Sequence, residues 1–216
     1  MMDRWVEWGP ALLRGTALTI FLTVASFAFA LVLGLVLALA RLSRRQWYLY
    51  APAQGFVELV RGTPLLVQLF FVYAALPLWG IRLPALAAGV LSLALYTGAF
   101  AAEIFRAGIT SVHRGQVEAA RSLGMSYGQT LRRVVAPIMA ALVLPPLTSE
   151  FTGVIKWSSL LSLITVPELT YAAQRVIGES YSVVEPLLLS GLCYWALNDL
   201  MVTVGRRMER RLTRYL

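Results

Sequence analysis

The stretch EAARSLGMSYGQTLRRVVAP, Glu118 to Pro137, interrupts a chain that is otherwise strongly apolar. Residues Gln116 to Leu123 are good helix formers, and Gly124 follows as a stop because glycine tolerates the left-handed conformation that ends a helix. Ser126 stands three residues before Gln129, the spacing of a capping box, so a second helix is expected to start there and run into the next apolar stretch. The predicted local structure is a short helix, a sharp turn and a long helix. Ala119 and Ala120 give the short helix a face of little bulk that another protein can approach closely, while Glu118 and Arg121 offer polar contacts at its rim. An ordinary surface helix in a loop is the competing reading on local physics alone.

Outward from this island, composition decides the class. Of 216 residues, 58% are hydrophobic and 14% charged, and the mean hydropathy is +0.69, outside the usual range for a soluble domain. A bilayer core about 30 Å thick takes roughly 20 apolar residues per helix. Five stretches reach that length: Leu18 to Ala40, Phe56 to Trp79, Leu83 to Phe105, Val134 to Ile155 and Val183 to Val204. The expected fold is an all-α membrane protein with five transmembrane helices. The N-terminus lacks the marks of a cleavable signal peptide, so the first span is expected to serve as an uncleaved anchor.

The net charge of +8 is distributed by topology. Arginines cluster as Arg41, Arg44 and Arg45, as Arg106, Arg114, Arg121, Arg132 and Arg133, and as Arg206, Arg207, Arg210, Arg211 and Arg214, after the first, third and fifth spans. By the positive-inside rule the N-terminus lies outside and the C-terminus in the cytoplasm. That placement makes nucleic acid a poor explanation of the basicity. It also puts residues 156–183, with Pro167, Glu168 and Glu179, outside the cytoplasm as a structured loop carrying a short helix on the membrane surface. Trp5, Trp8, Trp47, Tyr48 and Trp79 suit interfacial belts. One cysteine, Cys193, and one histidine, His113, allow neither an intrachain disulfide nor a Cys/His metal cluster.

Ionisable groups at membrane depth are costly and mark function by default. Glu150 leads, because Pro145 and Pro146 just before it disfavour a continuous helix and free the carbonyls near Ala141 and Leu142. The expectation is a solute site in which Glu150 meets a cationic group, with Ser149, Thr97, Gly98, Gln68 and Lys156 as further polar contacts. The competing reading of Glu150 is an ion pair with Lys156 or with another chain's arginine. Glu103 with Arg106, and Glu58 with Arg61, stand three apart and are expected to pair structurally. His113 reads as a loop residue.

The island also resembles the signature loop of ABC importer permeases, with Glu118, Ala119, Ala120, Gly124, Val134 and Pro137 in the matching places and Ala136 where leucine is usual. "ELVRGTPLLVQLFFVY" (Glu58 to Tyr73), "AAEIFRAGI" (Ala101 to Ile109) and "RRMERRL" (Arg206 to Leu212) resemble, in order, the recurring blocks of the polar amino-acid uptake branch, the histidine, arginine and glutamine type. Within that branch Ser149 stands where asparagine is common, Phe100 where tyrosine is, and Trp157 where a small or polar residue is.

The resemblance implies a type I permease fold in a bacterial inner membrane, as a single permease domain over 1–216. A cytoplasmic coupling loop would span about 108–130 and an extracytoplasmic loop about 156–183. Glu118, Ala119, Ala120, Arg121 and Gly124 would seat a coupling helix in a cytoplasmic ATP-binding cassette subunit. The other implied partners are an extracytoplasmic solute-binding protein, a second permease copy or similar chain, and a small polar amino acid. ATP and magnesium belong to the ATPase: this chain's one lysine, Lys156, is not set in a phosphate-binding loop, and no catalytic constellation is assembled. The alternatives are a permease for another small polar solute such as an opine, and an ATP-independent channel.

Overall fold

The structure, a computed structural model, describes the backbone of residues 2–42 and 44–212 and the side chains of 8–42 and 44–210. The side chains of Arg4, Trp5, Arg211 and Arg214 therefore lie outside the described residues. Every regular element among the described residues is helical. The long helices are α1 (Met2–Ala40), α4 (Ala85–Ser111), α7 (Ala136–Trp157) and α9 (Val184–Leu212). Between them lie α2 (Trp47–Gly62), α3 (Leu65–Phe70), α5 (Arg114–Ser122), α6 (Tyr127–Thr130) and α8 (Leu169–Ser180).

Four stretches are long and apolar enough to cross a membrane: Trp8–Ala40, Ala85–Ser111, Tyr127–Ile164 and Val184–Arg210. The expected second span, 56–79, is not one helix. The chain breaks at Thr63 and Pro64, both in extended conformation, because a proline disfavours helical geometry in the residue before it. The axes on either side are bent by 110°. Gln68 Nε2 holds this bend by donating to the carbonyls of Val60 at 2.8 Å and Thr63 at 3.2 Å. Five spans result when the bent pair is taken as one.

Within lipid, helices associate through close packing and polar contacts rather than through the hydrophobic effect. The α1–α4 contact illustrates this: a Cβ added at Gly34 would lie 2.7 Å from Ala101 Cβ and 3.0 Å from the Gly98 carbonyl oxygen. Gly108 beneath Val143 brings α4 and α7 together in the same way, and Gly205 beneath Thr148 does so for α7 and α9. The main core gathers Leu65, Leu69, Leu93, Val154, Leu161 and Ile164, so α3 is driven into the bundle against the end of α7.

One carboxylate ties the α5 end of the bundle. Glu103 on α4 accepts from Arg41 Nη2 of α1 at 2.5 Å and from Arg106 Nη2 at 2.8 Å, while Arg61 Nη1 of α2 lies 3.6 Å away. The Glu103–Arg106 pair stands as the three-residue spacing implies. Glu58 and Arg61 do not pair: Glu58 accepts from Gln54, and Arg61 lies instead 3.6 Å from Glu103.

A second carboxylate ties the opposite end. Glu168 is fully buried and caps α8, accepting from Tyr171 N at 2.9 Å and from the Tyr194 hydroxyl of α9 at 2.6 Å. Beside it, Leu169 N donates to Thr19 Oγ1 of α1 at 3.2 Å. A helix is present within 156–183, but it is not laid on a surface: Leu169, Ala172, Ala173 and Val176 are buried and seat it in the bundle, because its apolar face finds α1 and α9 to pack against. Trp47, Tyr48 and Trp79 are exposed, but Trp8 is buried, so it is a packing residue rather than an interfacial one.

Two outcomes follow from these carboxylates. Glu103→Gln leaves three guanidinium groups around a neutral amide, and about 3 kcal/mol of stability should be lost, the low end for a broken buried pair because Glu103 is 22% exposed. Thermal denaturation of the purified chain in detergent reads this, and an unchanged midpoint would refute it.

Burial pushes the Glu168 carboxyl above the ordinary carboxylate range, against the lowering pull of the Tyr194 hydroxyl and the backbone N–H groups of Thr170 and Tyr171. With the folded value above the unfolded one near ~4.3, its stabilisation is fully present below the unfolded value and is lost as pH rises through the folded value. The midpoint of the parent should therefore fall across that window, and Glu168→Gln should flatten this part of the slope. Parallel profiles for the two proteins would exclude it.

Candidate functional site

The loop between α4 and α7 carries the first candidate site. Val112 and His113 are extended, and His113 Nδ1 accepts from Gly115 N at 3.2 Å, so His113 caps α5 rather than lying in a featureless loop. At the other end Gly124 has φ +81°. Its N–H reaches the Arg121 carbonyl at 3.0 Å, and Met125 N reaches the Ala120 carbonyl at 3.2 Å. These two bonds form a Schellman motif, which requires the left-handed residue that glycine supplies.

The next helix opens with a complete capping box: Gln129 N donates to Ser126 Oγ at 3.3 Å and Ser126 N to Gln129 Oε1 at 2.9 Å. The island therefore has the local structure its spacing implies. Of its predicted contact residues, Glu118, Ala119, Arg121 and Gly124 are exposed, while Ala120 faces inward at 5% exposure. Beyond the stop, Leu123 and Tyr127 are 81% and 73% exposed, adding an apolar element to this surface. An unpartnered leucine beside a helix stop is a signal the sequence carried but that local pattern alone does not raise.

The second candidate site surrounds Glu150. The expected break at Pro145 and Pro146 is absent, since α7 runs unbroken from Ala136 to Trp157 with both prolines inside it. The irregularity lies earlier, in a wide π turn over Leu131–Val135 just before Pro137. Prolines are tolerated inside such helices because neighbouring helices, hydroxyl side chains and small backbone adjustments re-satisfy freed groups. Thr148 Oγ1 and Ser149 Oγ both bond back, to the Leu144 and Pro145 carbonyls.

Glu150 forms no ion pair among the described residues, with Lys156 or any other, and its Oε2 is buried without a hydrogen-bond partner. It lies within electrostatic reach of Tyr96 on α4 and Arg61 on α2. Tyr96 stands edge-on to Trp157 at 5.2 Å and beside Phe100 at 5.0 Å, and the Arg61 guanidinium sits over Phe100 at 5.2 Å. A half-buried carboxyl group and a half-exposed guanidinium thus flank an aromatic wall. The α2 bend supplies the cation from 89 residues upstream in sequence, so helix spacing gave no sign of it.

The other predicted contacts occupy different surroundings. Gln68 spends its amide on the α2 bend, and Gly98 faces Leu33 of α1. Thr97 is fully buried with Oγ1 unpartnered, while Ser149 and Lys156 are exposed on α7. Among the described residues no group of three or more His, Cys, Asp or Glu side chains could hold a metal ion.

Comparison with known proteins gives this arrangement its family. Residues 30–214 match the binding-protein-dependent transport system inner membrane component family. The chain is 36% identical over 211 residues to the probable amino-acid ABC transporter permease protein YckA of Bacillus subtilis (strain 168), spanning 98% of this chain and 93% of that one. It is 38% identical over 208 residues to the octopine transport system permease protein OccM of Rhizobium radiobacter, spanning 92% and 84%. Its fold superposes on the crystal structure of an amino acid ABC transporter with histidines at a TM-score of 0.89, with 34% identity over 98% of each chain. With a signature loop, a helical permease fold and relatives matched nearly end to end, the chain belongs to the inner membrane components of binding-protein-dependent transport systems, the permease subunits of ABC importers whose ATP hydrolysis is done by a separate subunit.

Proposed function

We propose that this chain forms half of the translocation pathway of an importer for polar amino acids, and that α5 transmits the state of a cytoplasmic ATPase to the helices. The observation that carries the reading is the exposed α5, stopped by Gly124 and continuous through the capped α6 with α7, the helix that bears Glu150. Glu118, Ala119, Arg121 and Gly124, joined by Leu123 and Tyr127, seat the helix in a groove of the ATPase, while Ala120 packs beneath it against this chain; ATP and magnesium are held by the ATPase. The coupling loop then covers about 108–130 of a single permease domain, 1–216. The N-terminus and residues 156–183 face the solute-binding protein, and the C-terminus faces the cytoplasm.

In the pathway, Glu150 receives the α-ammonium of the solute and Arg61 its α-carboxylate, with Tyr96, Phe100 and Trp157 enclosing the rest. An amino acid of any side-chain class carries both groups, so the pair recognises the common part. Ser149 and Lys156 line the approach along α7, while Gln68 acts only indirectly by holding the α2 bend and Gly98 packs α4 against α1; Thr97 stays buried in α4. A second permease copy covers the face of α7, whose apolar window is only 6% buried within one chain against 56% for α4. Alternating access arises from two such bundles rocking around the central site.

The test is ATP hydrolysis by the chain reconstituted in lipid with an ATPase partner and with binding protein loaded with individual solutes, octopine included. Stimulation by a loaded amino acid is expected, and Gly124→Val should abolish it by straining the left-handed turn by about 1–2 kcal/mol. Glu150→Gln should assemble normally yet lower uptake about tenfold or more, the worth of one charged hydrogen bond. Parental uptake by that variant would remove Glu150 from the pathway, and flux independent of ATP would replace the importer by a channel.

A further inference from the structure

At the α5 end of the bundle a polar recess of about 380 Å³ opens between α1, α2 and α4. Its lining includes Arg41, Arg44, Tyr50, Glu103, Arg106 and Thr110. Three arginines thus face one carboxylate, and that carboxylate is spent: Oε1 takes Arg41 and the more distant Arg61, and Oε2 takes both Nε and Nη2 of Arg106. Arg41 is the sharpest sign of a missing anion. Its side chain is 4% exposed, Nε donates to Gln54 and Nη2 to Glu103, but Nη1 is buried with no partner. A guanidinium nitrogen left dry and unbonded is costly unless an anion completes it. Glu58 does not answer the deficit, because it is exposed and held by Gln54 at the rim.

We propose that this recess binds a phosphate group, of the class borne by the headgroup of an acidic phospholipid. Phosphate offers several strong acceptors in the geometry that guanidinium forks match. Arg41 Nη1 and Arg44 are the groups left to it, since the Thr110 hydroxyl already donates to the Arg106 carbonyl at 2.9 Å; Arg44 forms no ion pair among the described residues and rests over the Tyr50 ring at 5.8 Å. The surroundings favour a lipid over a soluble ion. Between the lining residues Arg44 and Tyr50 the chain carries Trp47 and Tyr48, 72% and 61% exposed, aromatic types that settle at headgroup depth, with exposed Leu49 next to them and exposed Leu42 in the lining itself. Bound there, the headgroup joins the end of α1 to α2 and to α4 just before the loop that carries α5.

The experiment places the full chain in nanodiscs of phosphatidylcholine containing some phosphatidylglycerol and measures the lipids retained after extraction by native mass spectrometry. Retention of phosphatidylglycerol over phosphatidylcholine is expected, and Arg44→Gln, which leaves the Glu103 cluster intact, should reduce it about tenfold, one charge-assisted contact's worth. Arg41→Gln should do the same where it folds. Arg207→Gln, remote from the recess, should leave retention unchanged. If inorganic phosphate binds and is lost in Arg44→Gln while phosphatidylglycerol is not retained, the phosphate site stands with a soluble source. Equal retention by parent and Arg44→Gln, or an equal loss in Arg207→Gln, would overturn the proposal, because attraction would then be a diffuse property of the basic surface.

Discussion

The sharing of Glu103 among arginines of three helices is the contact on which the arrangement of this chain depends. A carboxylate at membrane depth is stable only with partners, and here they come from the end of α1, from α2 and from one turn further along α4. That requirement fixes where α2 lies against α4 and so where Arg61 points. It also anchors α4 less than three turns before the extended link, Val112 and His113, that opens α5. In the coupling role proposed for α5, a force applied to it would be met at one side by this charged knot and passed at the other through the capped start of α6 into α7. The knot would then be the fixed point and the α6–α7 junction the place where movement enters the bundle.

Glu103, Glu168 and Glu150 answer one physical demand in different ways. Glu103 is neutralised by cations, and Glu168 is capped by a tyrosine hydroxyl and a backbone N–H at the opposite end. Glu150, between them along the helices, has neither. Both ends of the bundle are thus locked by satisfied carboxylates while the middle keeps an unsatisfied one. A charge of that kind is tolerated where it faces a cavity or awaits a partner, and an opposing arginine with an aromatic wall gives this one the chemistry of a zwitterion's surroundings.

How much of this was legible in the sequence follows the range of the forces involved. The stop at Gly124 and the box at Ser126 and Gln129 are settled within a few residues, and both stand as their spacing implies. The apolar spans were legible because length and composition are summed over a window, but the same averaging hid the break at Thr63 and Pro64, since apolar residues continue through it. Pro145 and Pro146 misled in the opposite sense: their local cost is real, yet α7 continues through them, since proline removes single bonds of a long helix without ending it.

Contacts between distant residues were the least legible. Arg41 and Glu103 are 62 positions apart, and nothing along the chain distinguishes Arg41 from its neighbours Arg44 and Arg45 as the one that turns inward. Basic residues after a span have two uses, orientation and pairing, and composition reads both as the positive-inside signal. Burial separates them: Arg41 is 6% exposed while Arg44 and Arg45 remain at the surface. The same cluster can thus orient the chain during insertion and then divide, one arginine closing the knot on Glu103 and its neighbour left facing the headgroups. Insertion and packing impose separate constraints on one short basic run, so a substitution of Arg41 by lysine would keep the orienting charge yet lose the fork that spans Gln54 and Glu103.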